Sequence, residues 1–291
     1  MIYDYQYAVN NAGEGSTKVL GSKSLTGQGG KKMASGRNNI INAVLAEKAA
    51  EHIKEMDIGF AGETERSAKE SIIYGGPDKT PSPLPVVKCD QVFRDIDSVT
   101  AAIAYRKKGK VAILNFADYV KPGGLFLRGS RAQEESLCME SNLFNILNQE
   151  ALSGYYEYNK KNRNRELYTD RAIYTPGVIF VRDGEQYQFD VITCAAPNKS
   201  SAGRYHRVTT EENHEIMQER IRFLRSIAED QKVEILIAGA WGCGVFGQPP
   251  TLVAKWFDRT FYRSGISKIV YAVPSFGKDN ANVRAFKKMF Y

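Results

Sequence analysis

From about residue 86 onward, two rhythms of apolar residues alternate along the chain. Short continuous runs over Val86–Phe93, Val111–Ala117, Ala172–Arg182, Phe189–Ala195, Val233–Ala240 and Lys268–Val273 predict buried strands. Between them, apolar positions three and four apart predict helices over Ser98–Lys107, Glu134–Gln149, Thr209–Asp230, Thr251–Tyr262 and Asn280–Phe290. In the longest of these, Ile216, Ile221, Leu224 and Ile227 share one face. Strands alternating with helices predict an α/β sheet covered on both sides.

The earlier part of the chain is less regular. Residues 1–37, rich in Gly, Ser and Lys, read as a flexible segment. Helical spacing begins at Asn38 and runs to Met56 through Ile41, Val44, Leu45, Ala49 and Ile53. The prolines and glycines of residues 74–85 predict a linker or surface loop. Gly154–Arg171 interleaves basic and aromatic residues; a solvated insertion loop is the first reading and a polyanion contact the second. Residues 38–291 are therefore expected to form one domain, with the first helix as an N-terminal extension.

Composition narrows the class. With 43% hydrophobic and 25% charged residues the chain is an ordinary globular protein. No apolar run reaches the roughly 18 residues of a membrane span. The N-terminus lacks the charged start and apolar stretch of a secretory signal, so a cytoplasmic location is expected. The four cysteines, Cys89, Cys138, Cys194 and Cys243, are scattered without the close spacing of a zinc site, so no metal is expected. A net charge of +7 fits a polyanionic partner, and equally a merely basic surface.

The candidate chemistry lies in two glycine-rich turns, each following a predicted strand. The first, Pro122-Gly-Gly-Leu-Phe-Leu-Arg-Gly-Ser-Arg-Ala-Gln-Glu-Glu135, leaves the strand Val111–Ala117 and ends in adjacent carboxylates. Paired carboxylates are the equipment of glycosidic-bond hydrolysis, one acting as acid and base. The second turn, Gly239 to Pro250, contains Gly242, Gly244 and Gly247 in a G-x-G-x-x-G arrangement. A dinucleotide-binding fold would open with this turn, yet only one strand follows it here. The acidic ribose-binding residue expected some 20 positions later is also missing. What survives is the physics: exposed backbone N–H groups ahead of a helix N-terminus suit a diphosphate. In open α/β sheets ligands lie beyond the carboxyl ends of strands, so two such turns could flank one crevice.

Asn115-Phe-Ala, Pro122-Gly-Gly, Gln133-Glu-Glu-Ser and Gly239-Ala-Trp-Gly-Cys-Gly-Val-Phe-Gly247 together resemble the microbial-type poly(ADP-ribose) glycohydrolases. The resemblance implies a macrodomain-like three-layer α/β/α fold around a mixed sheet. It implies that Glu135 is the catalytic acid and Glu134 the holder of a ribose hydroxyl. It places Asn115 near the distal ribose, with Gly123 and Gly124 presenting backbone to the ribose and diphosphate and Gln133 orienting the loop. Gly242, Gly244, Val245 and Gly247 would cradle the diphosphate, and Phe246 would pack on the terminal ribose. No metal or cofactor is implied. The partner would be ADP-ribose or poly(ADP-ribose), with or without a modified protein attached; a nucleic acid is compatible but not required, and a monomer is expected.

The chain departs from the family pattern at one position, Leu125, where a third glycine belongs. A side chain there would intrude on the ligand and disfavour a positive φ. Loss of turnover, leaving a reader of ADP-ribose, is therefore an alternative to hydrolysis. So is a change of substrate to mono-ADP-ribosylated protein or nucleic acid.

Overall fold

The computed structural model describes residues 29–75, 87–277 and 279–291. In chain order the elements begin α1 (Gly29–Gly59), α2 (Ala61–Glu70), β1 (Ile72–Tyr74), β2 (Val87–Lys88), β3 (Asp90–Arg94), α3 (Ser98–Tyr105) and β4 (Val111–Phe116). They continue α4 (Gln133–Met139), α5 (Leu143–Leu147), α6 (Glu150–Lys161), β5 (Ala172–Arg182), β6 (Glu185–Cys194), α7 (Lys199–His206) and α8 (Thr210–Asp230). The chain closes with β7 (Ile235–Ala238), α9 (Pro250–Phe261), β8 (Arg263–Ser264), β9 (Lys268–Ala272) and α10 (Ala281–Phe290).

The central sheet is mixed, in the order β1-β5-β6-β4-β7-β9-β3. From β6 to β3 neighbouring strands are parallel, whereas β5 runs antiparallel to both its neighbours. Alternation along β4 divides the core. Ala112 and Leu114 pack with Met217, Ile221, Leu224 and Ile227 of α8 and with apolar residues of α9 and α10. Val111 and Ile113 pack with Ala49 of α1, Ala68 of α2, Val99 and Ala102 of α3 and the buried faces of α4 to α6. Successive side chains on a strand point to opposite faces, so one parallel strand seeds both layers.

Several elements differ from the sequence expectation. Helix α1 starts at Gly29, so residues 29–37 of the expected flexible segment are helical; residues 1–28 lie outside the described residues, as does most of the expected 74–85 linker. The strand expected over Val86–Phe93 is divided into β2, which pairs with β8, and β3, which joins the main sheet. The helix expected over Glu134–Gln149 breaks at Ser141, which bridges to Phe180 of β5 and donates its hydroxyl to Leu137 O. Gly154–Arg171 is not a solvated insertion: α6 buries Leu152, Tyr155, Tyr156 and Asn159 against the sheet.

Candidate active site

The carboxyl end of β4 positions the acidic pair. After Phe116 the chain turns at Asp118, whose Oδ1 accepts from Val120 N and Lys121 N at 2.8 and 2.9 Å. It then passes through Gly123 and Gly124, at φ +65° and +60°, into a 3-10 turn over Phe126–Arg128. Gln133 opens α4 and fastens it to β4. Its Oε1 accepts from Phe116 N at 2.9 Å, and its Nε2 donates to Leu114 O at 2.9 Å and to Ser98 Oγ at 3.2 Å. The amide thus completes backbone groups of β4 beyond Ile113, its last residue paired with β7. Gln133→Leu should lower stability by about 2 kcal/mol, because buried backbone donors and acceptors lose their partners. Denaturant unfolding of the two proteins reads that difference.

Both acids are buried, and they differ in what holds them. Glu134 Oε1 accepts from Asn115 Nδ2 at 3.2 Å and Oε2 from Asp118 N at 2.7 Å. Glu135 Oε1 accepts from Leu125 N at 2.9 Å, while its buried Oε2 has no partner among the described residues. Asn115 is fully buried beneath Glu134, also donating to Thr193 Oγ1 at 3.3 Å, and its Oδ1 is unpartnered. The glycines make this arrangement possible. A Cβ on Gly124 would stand 2.8 Å from Glu135 Oε1 and 2.9 Å from Glu134 Oε2, and one on Gly123 would stand 2.7 Å from the Phe144 ring.

Leu125 does not behave as the sequence suggests. Its φ is −106°, an ordinary backbone for an L-residue, and its side chain is 41% exposed. What the site needs from this position is its N–H, which any residue but proline provides. The position where only glycine fits is Gly124.

Burial pushes the Glu134 carboxyl well above its ordinary value of 4.5; the Asp118 and Asn115 hydrogen bonds act in the opposite direction and are outweighed. The unfolded chain would ionise this group near pH 4.5, the folded chain only at higher pH. Its contribution to stability is therefore complete below pH 4.5 and is lost as pH rises through the folded value. Glu134→Gln should match the native protein in Tm below pH 4.5 and exceed it at neutral and alkaline pH, with Asn115 Oδ1 available to accept from the new amide. A Tm series across pH checks this.

The second glycine turn follows β7. Gly239 packs against β9, where a Cβ would lie 2.6 Å from Ala272 O. Gly242 and Gly247 take φ of +73° and +72°, and a Cβ on Gly247 would collide with Ser200 Oγ. The turn is closed by Gly247 N to Gly244 O and Gln248 N to Gly242 O, both 3.0 Å. The N–H groups of Gly242, Gly244, Val245 and Phe246 donate to no acceptor among the described residues. Val245 is 89% exposed. Phe246 packs edge-on to Tyr168 at 6.2 Å, and Tyr168 stacks on Tyr119 at 4.2 Å.

Between the two turns lies a crevice of about 780 Å³, within the range of small-molecule sites. Of the expected site residues, Gln133, Glu135, Gly242, Gly244, Val245 and Phe246 line it. Glu134, Asn115, Gly123, Gly124 and Gly247 stand behind the wall and shape it. The crevice runs on past β7 to Val273, Pro274 and Phe276 beyond β9, and α1 contributes Ile41, Leu45 and Lys48. Those residues, and the Asp118 and Leu125 amides, carry no motif in the sequence; backbone donors have no side-chain signature, and α1 reaches the site only through the fold. Among the described residues no cluster suited to a metal ion is present.

Comparisons with known proteins agree with this geometry. Residues 41–183 match the family described as microbial-type PARG, catalytic domain. A search of curated proteins finds no match. Among solved structures, the poly(ADP-ribose) glycohydrolase of Thermomonospora curvata bound to the inhibitor ADP-HPD is similar, with TM-score 0.74 and 26% identity over 85% of this chain and 100% of that one. The poly(ADP-ribose) glycohydrolase of Deinococcus radiodurans in complex with ADP-ribose gives TM-score 0.70 and 25% identity over 78% of this chain and 97% of that one.

Proposed function

Family match and fold are both those of the microbial-type poly(ADP-ribose) glycohydrolases, and from that premise we propose that this chain hydrolyses the ribose–ribose O-glycosidic bonds of poly(ADP-ribose), with Glu135 as acid and base. One observation carries the reading. Glu135 lines the crevice with Oε1 held by Leu125 N, and its buried Oε2 has no partner among the described residues, so turning the carboxyl toward the crevice would bring Oε2 to a substrate oxygen without breaking a hydrogen bond of its own.

The steps follow from that placement. Glu135 gives its proton to the departing 2′-oxygen as the bond from the anomeric carbon breaks. The bonding electrons leave with that oxygen, and an oxocarbenium-like centre forms. Water adds to the anomeric carbon and gives its proton back to Glu135, restoring the acid. Glu134, held on both oxygens behind the crevice wall, fixes the start of α4 beside Glu135, and the ribose-hydroxyl role that the family resemblance implies for it would require its carboxyl to turn toward the crevice. The four free N–H groups of the second turn, with the α9 N-terminus behind them, supply the diphosphate site.

The span fits the ligand. Strands lie about 4.8 Å apart, so the distance from the end of β4 across β7 to the ends of β9 and β3 is roughly 10–14 Å. That places the apolar patch of Val273, Pro274 and Phe276 at the far end, suited to a planar base. A cytoplasmic, cofactor-free enzyme is part of the same reading. All four cysteines are free thiols, and among the described residues no helix is long and apolar enough to cross a membrane. The test is incubation with labelled poly(ADP-ribose). Release of free ADP-ribose is the expected result, and tight binding without release would replace this reading with that of a binding module.

A further inference from the structure

The substrate of the proposed reaction is a polyanion, and a chain remains attached at the Glu135 end of the crevice until the bond is cut. We infer that helix α7 and the turn before Gly123 form a second subsite there, binding the diphosphates of the polymer that leads away from the unit in the crevice. The inference rests on the proposed reaction for its choice of ligand.

The strand order gives the direction. The base end of the crevice lies over β9 and β3, the scissile end over β4, and the next strand outward is β6. Helix α7 follows β6 directly. Its first turn is joined to the glycine turn, with Ser200 N donating to Phe246 O at 3.0 Å. From Phe246 the contact passes to Tyr168 and Tyr119, with Val120 packed on the same cluster. Residues 118–121 and α7 are thus two sides of one rim beside Glu135.

That rim carries more positive than negative charge. Lys121, Arg204 and Arg207 are exposed and Lys199 is half-buried, and none of the four is ion-paired among the described residues. Carboxylates on adjoining elements are taken by arginines of their own: Glu166 by Arg163, Glu212 by Arg165 and Asp170 by Arg220. Glu211 and Glu215, exposed near the start of α8, and Asp118, half-buried in the rim itself, are the exceptions. Tyr205 is 68% exposed, and the Arg204 guanidinium lies 5.9 Å from its ring centre. Cations beside an open aromatic are the equipment for a phosphate chain carrying stackable bases.

The test separates this subsite from catalysis. In a Glu135→Gln background, binding of fluorescent poly(ADP-ribose) is measured against salt with and without Arg204→Glu and Arg207→Glu together. The double change should weaken polymer binding about tenfold and flatten the log–log salt dependence by roughly 1.4, since each of the two phosphate contacts contributes roughly 0.7. Arg204→Lys with Arg207→Lys should keep both properties. In the otherwise native protein, the double Glu variant should raise KM for long polymer several-fold while leaving kcat, and turnover of a single ADP-ribose unit carried on an uncharged aryl leaving group, within twofold. Equal losses on polymer and on that single-unit substrate, or an unchanged salt slope, would overturn the inference. So would lost binding of a single-stranded oligonucleotide with polymer binding intact, which would assign the rim to nucleic acid. A native protein that binds polymer through these arginines yet releases no ADP-ribose would refute the proposed reaction and leave the subsite standing.

Discussion

Glu135→Gln is expected to lower the release of ADP-ribose by about 10³-fold, within the range that general acid–base catalysis contributes. The change keeps the shape of the side chain and retains an oxygen to accept from Leu125 N. It removes the one proton that can reach the departing oxygen. Stability should change little, because the oxygen that loses its function has no partner among the described residues. Single-turnover assays with saturating polymer isolate the bond-breaking step from product release. Residual release within tenfold of the native rate would mean that another group supplies the proton.

Gly124→Ala should be nearly as damaging, although the residue has no functional group. Its Cβ would stand 2.8 and 2.9 Å from the two carboxylates, and its φ of +60° already disfavours any side chain. Both carboxylates must move, and Glu134 cannot do so without breaking its contacts to Asn115 and Asp118. A loss of about 10²-fold in kcat is expected, since small misplacements of reacting groups carry penalties of that size. A loss of stability of about 1–3 kcal/mol should accompany it, lowering Tm by roughly 2–4 °C for each kcal/mol. Leu125→Gly is the companion measurement. Its rate should stay within about threefold of native, because the site uses only the backbone N–H at that position. A large gain from Leu125→Gly would restore the importance of the missing third glycine.

Much of the fold could be read from the chain because its strands are short, apolar and bounded by turn residues. The sites of failure share a cause. Helix α6 has its buried positions at Leu152, Tyr155, Tyr156 and Asn159, a helical stripe, but built of tyrosine and asparagine among lysines. Helix α2 buries Thr64, Ser67 and Ala68, residues too small and polar to announce a face. The acidic pair and both glycine turns were legible as chemistry. Which acid stays free was not, because that depends on the Asn115 amide and on two backbone donors. At Leu125 the family pattern records which residue is usual, whereas the backbone φ of −106° shows that this position does not require glycine for its conformation.

The contact of α1 with the catalytic loop also bears on how the protein assembles. Gly129, at φ +70°, lies so close under α1 that a Cβ there would strike Asn42 O. The neighbouring contacts join residues far apart in the chain: His52 to Ser141 O across 89 positions, and Asn145 to Ile53 O across 92. Loops of that length close late, since their entropy must be overcome before the contact gives anything back. The sheet closes longer loops still, pairing Val111 with Ile235 and Asp90 with Lys268, so by this measure the acid loop can meet α1 before the sheet is complete. On a ribosome, α1 and the acid loop would both be synthesised before β5 to β9, and a nascent chain could hold its two acids against α1 while still lacking β7 and the glycine turn that completes the crevice.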